Sequence, residues 1–152
     1  MGDLQLYHVG IVVPDLVEAR ERLTELVGCA WGPTMAPTLE WRDGDGAIRA
    51  TDLRMCFSDG PPYIELIEER PGTIWECNEH SNLHHIGFWS GAIAAESQRF
   101  TDARCPLQGT MADGSGAAGF AYHRDPLGFR LELIDETSRA GMEQHSFGRR
   151  EA

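Results

Sequence analysis

Tyr7-His8-Val9-Gly10-Ile11-Val12-Val13, an apolar run carrying one histidine, returns past the middle of the chain as His84-His85-Ile86-Gly87-Phe88-Trp89. Each copy is followed, roughly fifty residues on, by a second echo, as expected of an internal duplication. The echoes are Tyr63-Ile64-Glu65-Leu66-Ile67-Glu68-Glu69 and Arg130-Leu131-Glu132-Leu133-Ile134-Asp135-Glu136. Both halves therefore hold one His and one Glu inside strand-like apolar runs. A carboxylate in such a run needs a partner, because burying it alone costs several kcal/mol.

Working outward from these runs, the chain reads as two units of the same order. In the first, residues 4–13 form a strand that Pro14 ends, and Asp15 is placed to cap a helix. From Leu16 to Val27 the residues Leu16, Ala19, Leu23, Leu26 and Val27 recur at helical spacing, and Gly28 stops the helix. Strands follow at 38–42, 48–58 and 63–69, separated by the turn clusters Asp43-Gly44-Asp45-Gly46 and Asp59-Gly60-Pro61-Pro62. Residues 70–82 read as a connection. The second unit replays the order with a strand at 83–89, a helix at 92–104 and strands at 105–111, 118–124 and 129–135. The loop Ala112-Asp113-Gly114-Ser115-Gly116 lacks the pattern of a phosphate-cradling glycine loop, and the polar tail after Asp135 reads as a short helix or a frayed end.

The expected architecture is thus α+β: one domain over 1–152, built of two βαβββ modules at about 4–70 and 83–136. The modules form a cupped mixed sheet around a central cavity, with the helices outside. Strand alternation then tests the ligand idea. If Val9, Ile11 and Val13 lie under the first helix and Ile86 and Phe88 under the second, His8 and His85 face the hollow, each with a glycine two places on. Tyr7 and His84 have the opposite parity and face outward. Glu65 lies opposite Ile64 and Leu66, and Glu132 opposite Leu131 and Leu133, so both carboxylates also face the hollow. His8, Glu65, His85 and Glu132 are the expected ligands of one divalent ion, Zn, Ni, Co, Mn or Fe, which mixed nitrogen and oxygen donors suit.

Composition narrows the function classes. A hydrophobic fraction of 41% and a charged fraction of 24% are those of an ordinary globular chain. The net charge of −11 disfavours nucleic acid and anionic membrane as partners. No apolar run approaches the ~20 residues of a membrane span, and Met1-Gly2-Asp3-Leu4 does not open a secretory signal, so a cytoplasmic location is expected. Cys29, Cys56, Cys77 and Cys105 are scattered and read as reduced, small hydrophobes.

Taken together, Tyr7-His8-Val9-Gly10-Ile11-Val12-Val13-Pro14-Asp15-Leu16, Tyr63-Ile64-Glu65-Leu66-Ile67, Leu83-His84-His85-Ile86-Gly87-Phe88 and Asp125-Pro126-Leu127-Gly128-Phe129-Arg130-Leu131-Glu132-Leu133 resemble the vicinal oxygen chelate superfamily over about residues 4–136. That superfamily includes glyoxalase I, methylmalonyl-CoA epimerase, extradiol dioxygenases and the fosfomycin and bleomycin resistance proteins. The resemblance implies one central metal ion, with His8, Glu65, His85 and Glu132 as its ligands, and a homodimer. The order of motifs is most similar to the epimerase and glyoxalase branch, where a carboxylate removes a proton next to a metal-bound carbonyl. By that analogy Glu132 is the first choice of base and Glu65 the second, in an isomerase, epimerase or lyase acting on a small molecule. One departure is Glu65, which stands where the epimerases carry Gln, so thioester specificity is not carried over. Trp41, Leu53, Met55, Tyr63, Trp89, Tyr122 and Arg130 are the candidate substrate contacts on the hollow face or its rim. The alternatives are an Fe(II) ring-cleaving dioxygenase and a non-catalytic drug- or metabolite-binding resistance protein.

Overall fold

A computed structural model describes residues 4–113 and 116–149. The first three residues, the last three, and Gly114 and Ser115 of the glycine loop lie outside them. The first module contains β1 (Gln5–Val13), α1 (Leu16–Val27), β2 (Thr38–Asp43), β3 (Ile48–Asp52), β4 (Met55–Phe57) and β5 (Tyr63–Glu68). The second contains β6 (Leu83–Ser90), α2 (Ile93–Asp102), β7 (Leu107–Met111), β8 (Phe120–Arg124) and β9 (Arg130–Asp135), and a 3-10 turn then leads into α3 (Arg139–His145). As expected, Asp15 caps α1, its carboxylate accepting from the Glu18 N–H at 2.9 Å.

All nine strands form one mixed sheet in the order β3-β2-β7-β8-β9-β6-β1-β5-β4. The modules meet at two antiparallel joints, β1 on β6 and β2 on β7. Each joint pairs a strand with its own counterpart, as a two-fold relation between duplicated units requires. The single strand expected over 48–58 is broken at Leu53 and Arg54. This break explains the shape. Its two pieces lie at opposite ends of the strand order, yet only two residues separate them, a reach of about 10 Å. Leu53 N–H donates to Pro37 on the β2 side and Arg54 C=O accepts from Glu68 of β5. The sheet therefore curls until its two ends meet, making the expected α+β cup.

Alternation then sorts the side chains into layers. Outside, Val13, Leu16, Cys56 and Leu66 pack with Ile11, Ile64 and Leu23 beneath α1, and Ile93, Phe100, Ala121 and Leu133 pack beneath α2. The last turn of α1 departs from expectation: Leu26 and Val27 stay exposed, because the helix packs on the sheet through Leu16, Ala19 and Leu23 and not beyond them. Inside, Val12, Trp41, Leu53, Ile67, Phe120 and Tyr122 surround Trp75. Trp75 comes from the connection between modules, so that segment fills part of the hollow instead of crossing over the surface. At the other side of the hollow, Tyr7, Phe57 and Trp89 gather around Phe147 of the tail. Among the described residues no helix is long and apolar enough to cross a membrane.

Candidate metal centre

His8 and Glu65 arrive on β1 and β5, a parallel pair, and His85 and Glu132 on β6 and β9, also parallel. The β1–β6 joint brings the two pairs together. All four side chains are buried, and their donor atoms lie within 4.8 Å of one another. His8 Nε2 is 2.6 Å from His85 Nε2, 3.2 Å from Glu65 Oε2 and 3.0 Å from Glu132 Oε2. His85 Nε2 is 3.1 Å from each of the same two oxygens. Donors bonded to one ion at about 2.0–2.2 Å stand roughly this far apart.

Two glycines allow the rings to approach. A Cβ at Gly10 would collide with His85 Cε1, and one at Gly87 with His8 Cε1. Each glycine thus leaves a hole for the imidazole of the other module.

Two bulges overturn the expected parity of the residues before the histidines. On β1 the register advances from Leu6↔Phe88 to His8↔Gly87, and on β6 from His85↔Gly10 to Leu83↔Ile11. The extra residues are Tyr7 and His84, and a bulge turns consecutive side chains to one face. Tyr7 therefore packs inward, its ring centroid 4.1 Å from that of His8 and 4.0 Å from that of Trp89. His84 is likewise buried inside, against His85 and Tyr122.

His84 fixes the tautomer of its neighbour. Its Nε2–H donates to the Ile74 carbonyl at 2.7 Å. Burial, then the nearby His85 and Arg130 charges, hold its pKa well below the usual histidine value, so the ring is neutral. A neutral His84 can only accept at Nδ1, so the 2.8 Å contact there is donated by His85 Nδ1–H. In a neutral His85 that leaves the Nε2 lone pair facing the centre, as a metal-binding imidazole requires.

The cluster's electrostatics fit a divalent cation. Glu65 Oε2 and Glu132 Oε2 are buried and accept no hydrogen bond among the described residues. Burial raises the Glu132 pKa, but His85 and His8 outweigh it and hold the carboxyl well below its usual range; Glu65 is lowered by the same two rings against the same burial. Burial also lowers His8, but the facing Glu132 and Glu65 outweigh it and push that imidazole up to about 9. Without a metal the site must thus hold protons to offset two buried carboxylates. A divalent ion with two neutral imidazoles makes the cluster neutral overall, which a low-dielectric interior favours.

Of the candidate substrate contacts, Trp41, Leu53, Met55 and Tyr122 lie in the inner cluster around Trp75, and Tyr63 and Trp89 in the one around Phe147. Arg130 is buried at the start of β9, donating through Nε to Gln108 Oε1 at 2.6 Å and through Nη1 to the His84 carbonyl at 3.0 Å. Sequence reasoning did not place Trp75, Phe147, His84 or Tyr7 at the centre. For Trp75 and Phe147 the available signal was an isolated large aromatic in an otherwise polar stretch.

A duplicated βαβββ sheet curled around two histidines and two carboxylates defines a class of small proteins with a central candidate metal site. Residues 7–125 match the profile of the Glyoxalase/Bleomycin resistance protein/Dioxygenase superfamily, and the chain belongs to that family. Comparison with curated proteins finds no match. Among solved structures, a methylmalonyl-CoA epimerase in complex with methylmalonyl-CoA and NH4+ is similar with a TM-score of 0.59 at 15% identity, over 89% of this chain and 96% of that one. A variant Streptomyces coelicolor methylmalonyl-CoA epimerase in complex with 2-nitronate-propionyl-CoA gives 0.60 at 16% identity, over 88% and 95%. The Mycobacterium tuberculosis methylmalonyl-CoA epimerase gives 0.58 at 16% identity, over 90% of each chain. At these identities the likeness is one of fold.

Proposed function

We propose that the protein is a divalent-metal-dependent isomerase, epimerase or lyase that moves a proton next to a carbonyl of a small molecule. The observation that carries this reading is the convergence of His8, Glu65, His85 and Glu132, two from each module, with carboxylate oxygens that no hydrogen bond satisfies. These four residues would hold the ion. When bound, it would polarise a substrate carbonyl and so acidify the neighbouring C–H. Glu132 takes the proton, and Glu65, approaching from the other module, is placed to return one. Tyr7, Phe57 and Tyr122 around the two imidazoles, with Trp75 behind Tyr122, keep water from the proton in transit.

The test is metal analysis of protein purified without chelators, combined with solvent deuterium exchange into carbonyl compounds. About one transition metal per chain and exchange that Glu132→Gln abolishes are expected. Metal-free protein, or exchange unchanged in the variant, would reject the mechanism. Oxygen uptake with catechol-like substrates would instead assign the dioxygenase reading, and tight ligand binding without turnover the sequestering one.

A further inference from the structure

Arg124 and Arg130 are register partners across the β8–β9 pair. Arg130 is only 8% exposed. Its guanidinium is held in place by Gln108 Oε1 and the His84 carbonyl, neither of which carries a charge. Among the described residues neither arginine forms an ion pair with a carboxylate. The adjacent Asp125 turns its carboxylate back to accept from the Leu127 N–H at 2.8 Å. In a chain with a net charge of −11, leaving two adjacent arginines unneutralised is unexpected on structural grounds alone.

Both side chains belong to the wall shared by two adjoining cavities, of about 820 and 720 Å³. His84 and His85 line the larger one and Arg49 the smaller. Arg130 and Glu132 point to the same face of β9 two residues apart, so about 7 Å separates their backbone positions. A guanidinium fork fixed by neutral acceptors in the wall of a cavity is preorganised for a planar or tetrahedral oxyanion.

We infer that Arg124 and Arg130 form a binding site for an oxyanion, a carboxylate or phosphate group carried by the small molecule whose reacting carbon lies at the His8–Glu65–His85–Glu132 cluster. The link to a reacting carbon rests on the function proposed above; the oxyanion site itself does not. Substrates lacking an anionic group a few bonds from the carbonyl bind weakly, and the arginines raise affinity without taking part in proton transfer.

Isothermal titration of the purified protein with inorganic phosphate and with succinate at low ionic strength tests the site. One-to-one saturable binding of at least one ion is expected. Arg124→Gln, a change at an exposed residue, weakens it about tenfold, and Arg130→Gln removes it. The tighter of the two ions identifies the oxyanion. Glu132→Gln, which the proposed reaction does not survive, binds as the wild type does, so loss of the reaction and loss of the oxyanion site are separable. No saturable binding of either ion, or equal affinity in Arg124→Gln and wild type, overturns the inference. Binding lost in Glu132→Gln but kept in Arg124→Gln places the anion on the metal and overturns it too.

Discussion

His84 and His85 are neighbours in sequence with different roles, and one extra residue in the β6 register brings both to the same side. His85 turns a nitrogen to the centre, and His84 holds the proton on the other nitrogen. Replacing His84 by Ala is expected to lower metal affinity about 10–100-fold while leaving the ligand set complete. Competition with a chromogenic chelator measures this, and unchanged affinity would remove His84 from the second sphere. Gly10 gives a sharper test. An alanine there places a methyl group inside the His85 ring, so Gly10→Ala should cost about 1–3 kcal/mol of stability and displace a ligand. Calorimetry and metal content should fall together. A stable, fully loaded Gly10→Ala protein would show that the ring has another place to sit.

Between α2 and β8 lies a histidine unconnected with the centre. His123 donates from Nδ1 to the Cys105 carbonyl and receives the Ser97 hydroxyl at Nε2, each at 2.8 Å. Burial lowers its pKa below the ordinary 6.5. The unfolded chain therefore takes up this proton more readily than the folded one. The stability His123 contributes is complete above about 6.5 and is lost as pH falls through the lower, folded-state value. His123→Gln should flatten the fall in melting temperature between pH 7 and 5.5 relative to wild type; parallel curves would count against it. The elements also show how much the sequence reveals. The apolar alternation of β1, β5, β6 and β9 made the fold and the convergence of His8, Glu65, His85 and Glu132 legible, since period two leaves little freedom once a helix covers one face. It misassigned Tyr7 and His84, because a bulge adds one residue and no residue type announces it. Trp75 and Phe147 were illegible for another reason: their segments have no periodicity, and only the finished hollow shows that something must fill it. Trp75→Ala should cost about 3–5 kcal/mol, as for a large core aromatic, whereas a surface residue would cost almost nothing in a denaturant titration.

For the molecule as a whole, the proposed metal centre would couple metal to folding. Two buried carboxylates are neutralised either by protons on His8 and His85 or by an ion, and ion binding stabilises the native state by mass action. Exhaustive removal of metal should lower the melting temperature, and readdition of Zn, Ni, Co or Mn should restore it to differing extents. A transition indifferent to metal would contradict the assignment of the four ligands. The reciprocal fit of Gly10 with His85 and Gly87 with His8 has a further consequence. Each half carries a socket shaped for the plug of its twin, and neither half alone owns a complete set of donors. A chain nicked between Asn78 and Ser81, in the exposed stretch beyond Trp75, should therefore stay assembled as two pieces. Produced separately, the pieces should recognise each other when mixed, with the metal acting as the rivet.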